Sequence, residues 1–349
     1  MRVKVKLIRI YILIIILFYG AKLNSRNIHR KIDSSLAKIS AKWPGESQEH
    51  TFIDSHIREL PIFKTYNENY FKSKILPKGK ISFKYETEKF VESKELDQII
   101  ENFLQEIQNK KNKFKDFVPL KRRDFNKFTN CGLNVMKFKN YPFVLKIFTE
   151  TPESLTDPYS KAFQERGVFV LGGSLRHVMG FTRVRNIDLI KEKIEKDSYW
   201  SKRIDLPRKW FWLPKNPKYI EISGSNIGNK KKQKIIIPAT YAIICDEINS
   251  DIKNNSPYKQ EFLNLCTFLD YTLDANPKNF KIDANGKMVI IDTEHFTTLI
   301  GIQKKIKHFY SYVDWYLTIA SKYIKENFMS SKNYRYERQN NTETDFPLF

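Results

Sequence analysis

Asp274, Asn279 and Asp292 fall within one short stretch, LDANPKNFKIDANGKMVIIDTEHF from Leu273 to Phe296, and Lys146 stands among apolar residues in FVLKIF. Carboxylate and amide oxygens are hard ligands, suited to Mg²⁺ and not to zinc. A lysine in the middle of a strand is a cation held by a rigid element, and a central strand seldom carries a charge without a partner. A nucleotide triphosphate with its metal requires a cation on the inner phosphates, two oxygen ligands for the metal, and a carboxylate to take the proton of an acceptor hydroxyl. Lys146, the pair Asn279 and Asp292, and Asp274 supply one set of such groups.

The surrounding pattern says what must position them. FKI and MVIID read as short strands joined by Asp283-Ala284-Asn285-Gly286, and the Asn-Gly pair is a strong hairpin signal. Closing that hairpin brings Asn279 toward Asp292. PYKQEFLNLCTFLDYTLD reads as a helix that ends near Asp274, with Phe262, Leu265, Cys266, Phe268 and Leu269 on its apolar face. Lys146 sits on the second strand of a hairpin read from CGLNVMKFKNYPFVLKIFTE, whose turn is Lys139 to Pro142. Upstream, Glu88 to Asn112 is an amphipathic helix with Leu96, Ile99, Ile100, Phe103, Leu104 and Ile107 at helical spacing. SLTDPYSKAFQERGVFVLGGSLRHVMG reads as a helix interrupted at Gly172-Gly173, and KIIIPATYAIICDEI as a β-rich apolar run. Residues from Asn24 to about Thr87 show no sustained period and read as an irregular leader; helical sequence from Lys304 to Phe328 and a polar tail close the chain.

Composition bounds the function class. A chain of 349 residues with 41% hydrophobic content can bury one large core or two smaller lobes. The net charge of +22 would ordinarily point to an anionic partner. Here the lysines are spread along the whole chain, and only Lys230 to Lys234 (KKKQK) cluster, which reads as a solvated loop. No basic element is concentrated as groove reading would require, which argues against nucleic acid as a partner. The three cysteines, Cys131, Cys245 and Cys266, form no CxxC and lie in apolar elements, so they read as buried thiols, not a disulfide framework. The histidines contain no HExxH.

The N-terminus has the order of a secretory signal: basic MRVKVKLIR, then apolar IYILIIILFYGA, then polar KLNS. Residues 1–24 are therefore expected to be a signal peptide or a signal anchor, with membrane contact through this segment. Export to a bacterial cell envelope or secretion follows from that expectation.

The motifs together resemble the protein-kinase-like superfamily. DANPKN looks like its catalytic-loop DxxxxN, IIDTE like its metal-binding Asp motif, and FVLKIF like its strand-three lysine motif. They occur in the family's order, and the second Asp follows the first by 292 − 274 = 18 positions. The resemblance implies an α+β fold with two lobes: a β-rich small lobe over 116–246 and a mostly helical lobe over 247–335, preceded by a leader over 25–115 and followed by a tail over 336–349. It implies ATP and Mg²⁺ as cofactors, with Lys146 on the inner phosphates, Asp274 as catalytic base, and Asn279 and Asp292 on the metal. Cys245 to Ile248, including Glu247, would fall at the hinge that grips adenine. Glu165 would pair with Lys146, with Glu153 as the second choice.

The departures from the family pattern are specific. Thr272 and Leu273 precede Asp274 where protein kinases have His and Arg, and no APE sequence follows. Between Asp116 and Lys146 the only glycine is Gly132, so no GxGxxG covers the phosphates. Thr293 and Glu294 after Asp292 are closer to the Asp-x-Glu of aminoglycoside and choline kinase relatives. The expected function is an atypical kinase transferring the γ-phosphoryl group of ATP to a protein or small-molecule hydroxyl. The alternative is a catalytically inactive pseudokinase-like binding module, because an exported kinase must reach a compartment that holds nucleotide.

Overall fold

The computed structural model describes residues 37–54, 62–121, 125–156, 173–225, 233–250, 256–270, 272–295, 311–315 and 317–318. The expected N-terminal signal, Glu165 and the polar tail lie outside the described residues. The protein is α+β, built on antiparallel sheets with helices packed against them.

The first part of the chain carries strands β1 (Ala37–Lys42) and β2 (His50–Asp54), short helices α1 (Ile62–Thr65) and α2 (Glu68–Ser73), and strands β3 (Lys80–Ser82) and β4 (Phe90–Glu92). Helix α3 (Ser93–Gln108) leads to strands β5 (Phe117–Lys121), β6 (Phe125–Asn126), β7 (Cys131–Phe138) and β8 (Phe143–Thr149). Helices α4 (Pro152–Thr156), α5 (Gly173–Glu195) and α6 (Trp200–Arg203) come next. Strands β9 (Ile204–Asp205), β10 (Lys209–Trp212), β11 (Tyr219–Ser225), β12 (Gln233–Pro238) and β13 (Thr240–Asp246) follow. Helix α7 (Lys259–Phe268) and the hairpin β14 (Phe280–Ile282) and β15 (Met288–Ile290) complete the set.

The principal sheet has the order β10-β13-β8-β7-β5, with β6 also paired to β7. Strand β8 is therefore interior, and Lys146 lies between Ile243 of β13 and Val135 of β7. A lysine snorkelling from a sheet edge is excluded by that position. The two-residue period of the strands sorts their side chains onto two faces. Leu145, Ile147, Ala242, Ile244 and Met136 share one core with Leu96, Ile100, Phe103 and Ile107 of α3. The apolar spacing in Glu88 to Asn112 thus forms a shorter helix than its pattern suggests, but it buries the expected face. On the other face, Phe148, Ile243, Tyr241, Phe211 and Leu133 pack with Val178, Phe181 and Val184 of α5.

Gly180 lets α5 approach the sheet this closely. A Cβ there would sit 2.0 Å from Tyr241 Oη and 2.9 Å from Phe148 Cζ. Neither neighbour is free to yield: Tyr241 donates to the carbonyl of His177, and its ring stacks on Phe148 at 4.8 Å and on Phe181 at 4.5 Å. In an exposed helix, Gly→Ala stabilises by up to about 1 kcal/mol. Here overpacking reverses the sign, and Gly180→Ala is expected to cost about 1–3 kcal/mol in urea unfolding. A stabilised Gly180→Ala variant would mean that α5 is not seated on this face.

A further core joins the lower end of α5 (Ile190, Ile194) to α7, the β14/β15 hairpin, Trp200 and Trp315. Strand β9 pairs parallel with β15, adding a third strand to the hairpin. The hairpin closes at Asn285-Gly286 with only Gly286 at positive φ, 74°, and Asp283 accepts from the amides of Asn285 and Lys287. All three cysteines are free and buried.

One sequence expectation is corrected by the fold. The stretch read as an irregular leader is partly regular: β1 lies inside a sheet of order β12-β11-β1-β2, registered to β11 from Lys38 opposite Ser225 to Lys42 opposite Glu221. No helix among the described residues is long and apolar enough to cross a membrane.

Candidate functional site

Backbone geometry joins the three hairpin residues before any side chain does. Asn279 ends a short 3₁₀ turn entered by Asn276 and Pro277, and its carbonyl accepts from the amides of Ile291 at 2.9 Å and Asp292 at 3.4 Å. Asn279 and Asp292 are therefore held side by side at the open end of the β14/β15 hairpin. The Asn279 Nδ2 donates to the carbonyl of Asp274 at 3.1 Å, and Asp274 Oδ1 accepts from the Asn276 amide at 3.1 Å. Burial pushes the Asp274 carboxyl up to about 6; hydrogen bonds from Asn279 and Asn276 oppose the rise, and the nearby charges of Asp292 and Glu294 add to it.

From the sheet, Lys146 reaches across with its Nζ 3.4 Å from Asp292 Oδ2. Lys146 and Asp292 are separated by well over a hundred residues of chain, and the fold makes them neighbours. The other oxygen, Oδ1, accepts from Arg183 Nε at 3.0 Å, and Arg183 Nη2 continues to Glu294 at 2.8 Å. Burial alone would raise the Asp292 carboxyl, but the charges of Arg183, Lys146 and Lys209 outweigh it and hold Asp292 well below the usual carboxylate range.

Lys209 is the second lysine of the cluster. It projects from β10, its side chain is buried, and its Nζ donates to Thr293 Oγ1 at 2.7 Å and to the Ile291 carbonyl at 3.3 Å. Burial pushes its ammonium down to about 7, and the charge of Lys146 adds to that. Arg183 and Lys209 belong to none of the sequence motifs, and Thr293 and Glu294 enter them only as the residues that complete the Asp-x-Glu pattern. The available signal was charge inside apolar pattern: Lys209 precedes WFW, and Arg183 stands between Phe181, Thr182 and Val184.

Cys245 and Glu247 lie in and just after β13, and Glu153 lies at the start of α4. Cys245 is buried in β13 directly opposite Lys209, and burial pushes its thiol up. Glu247 follows β13, gives its amide to the Pro142 carbonyl, and pairs its carboxylate with Lys137 at 2.6 Å. The segment after β13 is fixed to the body by Asp246, which takes a bidentate pair from Arg208. Glu153 is exposed at the start of α4, and the carboxylate that meets Lys146 is Asp292.

Among the described residues, no group of three or more His, Cys, Asp or Glu is placed to hold a metal ion. The backbone nonetheless makes Asn279 and Asp292 neighbours, and an amide oxygen with a carboxylate is a donor pair that suits Mg²⁺ taking its other ligands from phosphate and water. The Asn279 Oδ1 accepts no hydrogen bond among the described residues. Asp292 would have to loosen at least one of its two ion pairs to serve such a metal. No family model matches the chain, and neither the curated proteins nor the solved structures include a match to it.

Proposed function

We propose that this chain is an atypical kinase-like phosphotransferase that binds ATP with Mg²⁺ and passes the γ-phosphoryl group to a protein or small-molecule hydroxyl. The observation that carries the reading is the meeting of Lys146, on an interior strand, with Asp292 at 3.4 Å, at the mouth of a hairpin that also fixes Asn279. In the proposed two-lobed arrangement, the principal sheet with α5 is the small lobe and α7 with the β14/β15 hairpin belongs to the helical lobe. Within the principal sheet, and setting aside the two-residue β6, Lys146 lies on the third strand in chain order, after β5 and β7, as the lysine of kinase-like proteins does.

In this reading Lys146 steadies the inner phosphates, and Asn279 with Asp292 holds the metal, whose chemistry is to neutralise charge on the phosphate oxygens. Asp274, with a carboxyl titrating near 6, is ionised at neutral pH and can accept the acceptor's proton. The N-terminal segment is proposed to export or tether the protein to an envelope membrane, so the acceptor would lie outside the cytoplasm.

A second reading, a nucleotide-independent binding module that retains only the architecture, is favoured by one observation. Arg183 covers Asp292 Oδ1 and Lys146 covers Oδ2, so protein cations engage both oxygens of the proposed metal ligand.

Thermal unfolding with and without ATP and Mg²⁺ separates the two. A ligand that binds only the native state at about a hundredfold excess over Kd adds about 2.7 kcal/mol, seen as a raised midpoint. The kinase-like reading expects a Mg²⁺-dependent rise that disappears in Lys146→Ala and in Asp292→Ala. Folded protein with no response to any nucleotide would leave the binding module.

A further inference from the structure

Residues 291–295 are tied to two elements that sequence reasoning did not connect with Asp292. Lys209 of β10 bonds on both sides of Asp292, to the Ile291 carbonyl and the Thr293 hydroxyl. Thr293 is wholly buried and its hydroxyl, while accepting from Lys209, donates to the Arg183 carbonyl of α5 at 2.5 Å. Its own carbonyl accepts from Asn186 Nδ2 at 3.0 Å, and one residue on, the His295 amide donates to Thr182 Oγ1 at 3.2 Å. Three hydrogen bonds thus fasten the segment to α5, and two more fasten it to the sheet.

We infer that Thr293 and Lys209 are positioning residues which brace Asp292 against α5 and β10, so that the helix and the proposed metal ligand move as one body. The positioning role rests on the nucleotide reading above; the brace itself does not. Several features support a brace over ordinary core filling. A threonine with no exposed surface uses its hydroxyl as donor and acceptor at once, which a methyl could not replace. A buried ammonium spends its hydrogen bonds on the two residues flanking Asp292, leaving the carboxylate itself to Lys146 and Arg183. Any shift of α5 along its axis would move Arg183, Asn186 and Thr182 together, and Asp292 would be drawn from Lys146.

The test compares Thr293→Val, which keeps shape and loses the hydroxyl, with Thr293→Ser, which keeps the hydroxyl, and uses Lys209→Met if the valine variant does not fold. Two quantities are measured: amide hydrogen exchange across residues 291–295 and α5, and the Mg²⁺ concentration needed for half of the ATP-induced rise in unfolding temperature. The brace expects Thr293→Val to exchange at least tenfold faster at residues 291–295 and to need about tenfold more Mg²⁺, with Thr293→Ser close to the native protein. A folded Thr293→Val or Lys209→Met with native exchange overturns the brace. Faster exchange with an unchanged Mg²⁺ requirement overturns the positioning role. Absence of any ATP response in the native protein sinks the nucleotide reading, and the exchange data alone then decide the brace.

Discussion

Arg183→Met is expected to destabilise the protein by about 3–5 kcal/mol, because removing one partner of a buried ionic network leaves charge without compensation. The Arg183 side chain is only 4% exposed and bonds both Asp292 and Glu294. Asp292 would keep Lys146, whereas Glu294 would lose its ion pair and already has one buried oxygen, Oε1, without a partner. Methionine retains the length and most of the volume, so the loss measured in urea is chiefly electrostatic. The pH dependence carries the same signature. A carboxyl held below its ordinary range contributes stability above that range and loses it as pH falls through the folded value. Without Arg183 the Asp292 carboxyl rises, and the midpoint of acid unfolding should move to higher pH. Adding Glu294→Gln to Arg183→Met should return about 0.5–3 kcal/mol, the usual range for coupled neighbours. Additive losses in the double variant would show that Arg183 does not act through Glu294.

The same network marks the limit of what the sequence discloses. Local chemistry was legible: Asn285-Gly286 announces its hairpin, the spacing of Leu96, Ile100, Phe103 and Ile107 announces a buried face, and Lys146 is conspicuous inside an apolar strand. Those features depend on neighbours within a few residues. β1 could not be placed from its own sequence, since AKISAK acquires its meaning only when Ile39 and Ala41 find Gly224 and Ile222 of β11. Arg183 and Lys209 were hidden for a related reason. Each reads as a surface charge beside apolar residues until α5 and β10 converge on Asp292, and the cost of burying them is offset only by partners far away in the chain. Near Lys146 in the chain the acids that could pair with it are Glu153 and Glu165, whereas the residue that meets it is Asp292, whose motif marks it as a metal ligand.

On the proposed kinase-like reading, Asp274→Asn is expected to lower phosphotransfer by about 100- to 10,000-fold, the usual contribution of a positioned general base. Asparagine keeps the size and can still accept from the Asn276 amide, so the short turn through Pro277 to Asn279 should survive. Turnover in the native protein should climb as pH rises through about 6, where the carboxyl ionises, and level off above it. Stability should respond in the opposite sense. With its folded value raised from 3.8 to about 6, Asp274 takes up a proton on folding across that window, so its favourable contribution is full at low pH and is lost as pH rises through about 6. An amide has no charge to desolvate. The asparagine variant should therefore be at least as stable as the native protein at pH 7, with the difference shrinking or reversing near pH 4. Lost turnover with retained stability assigns Asp274 to the chemistry. Full turnover in a folded Asp274→Asn removes it from the base role, and lost turnover with a fall in stability at pH 7 makes it a turn residue that holds Asn279 in place.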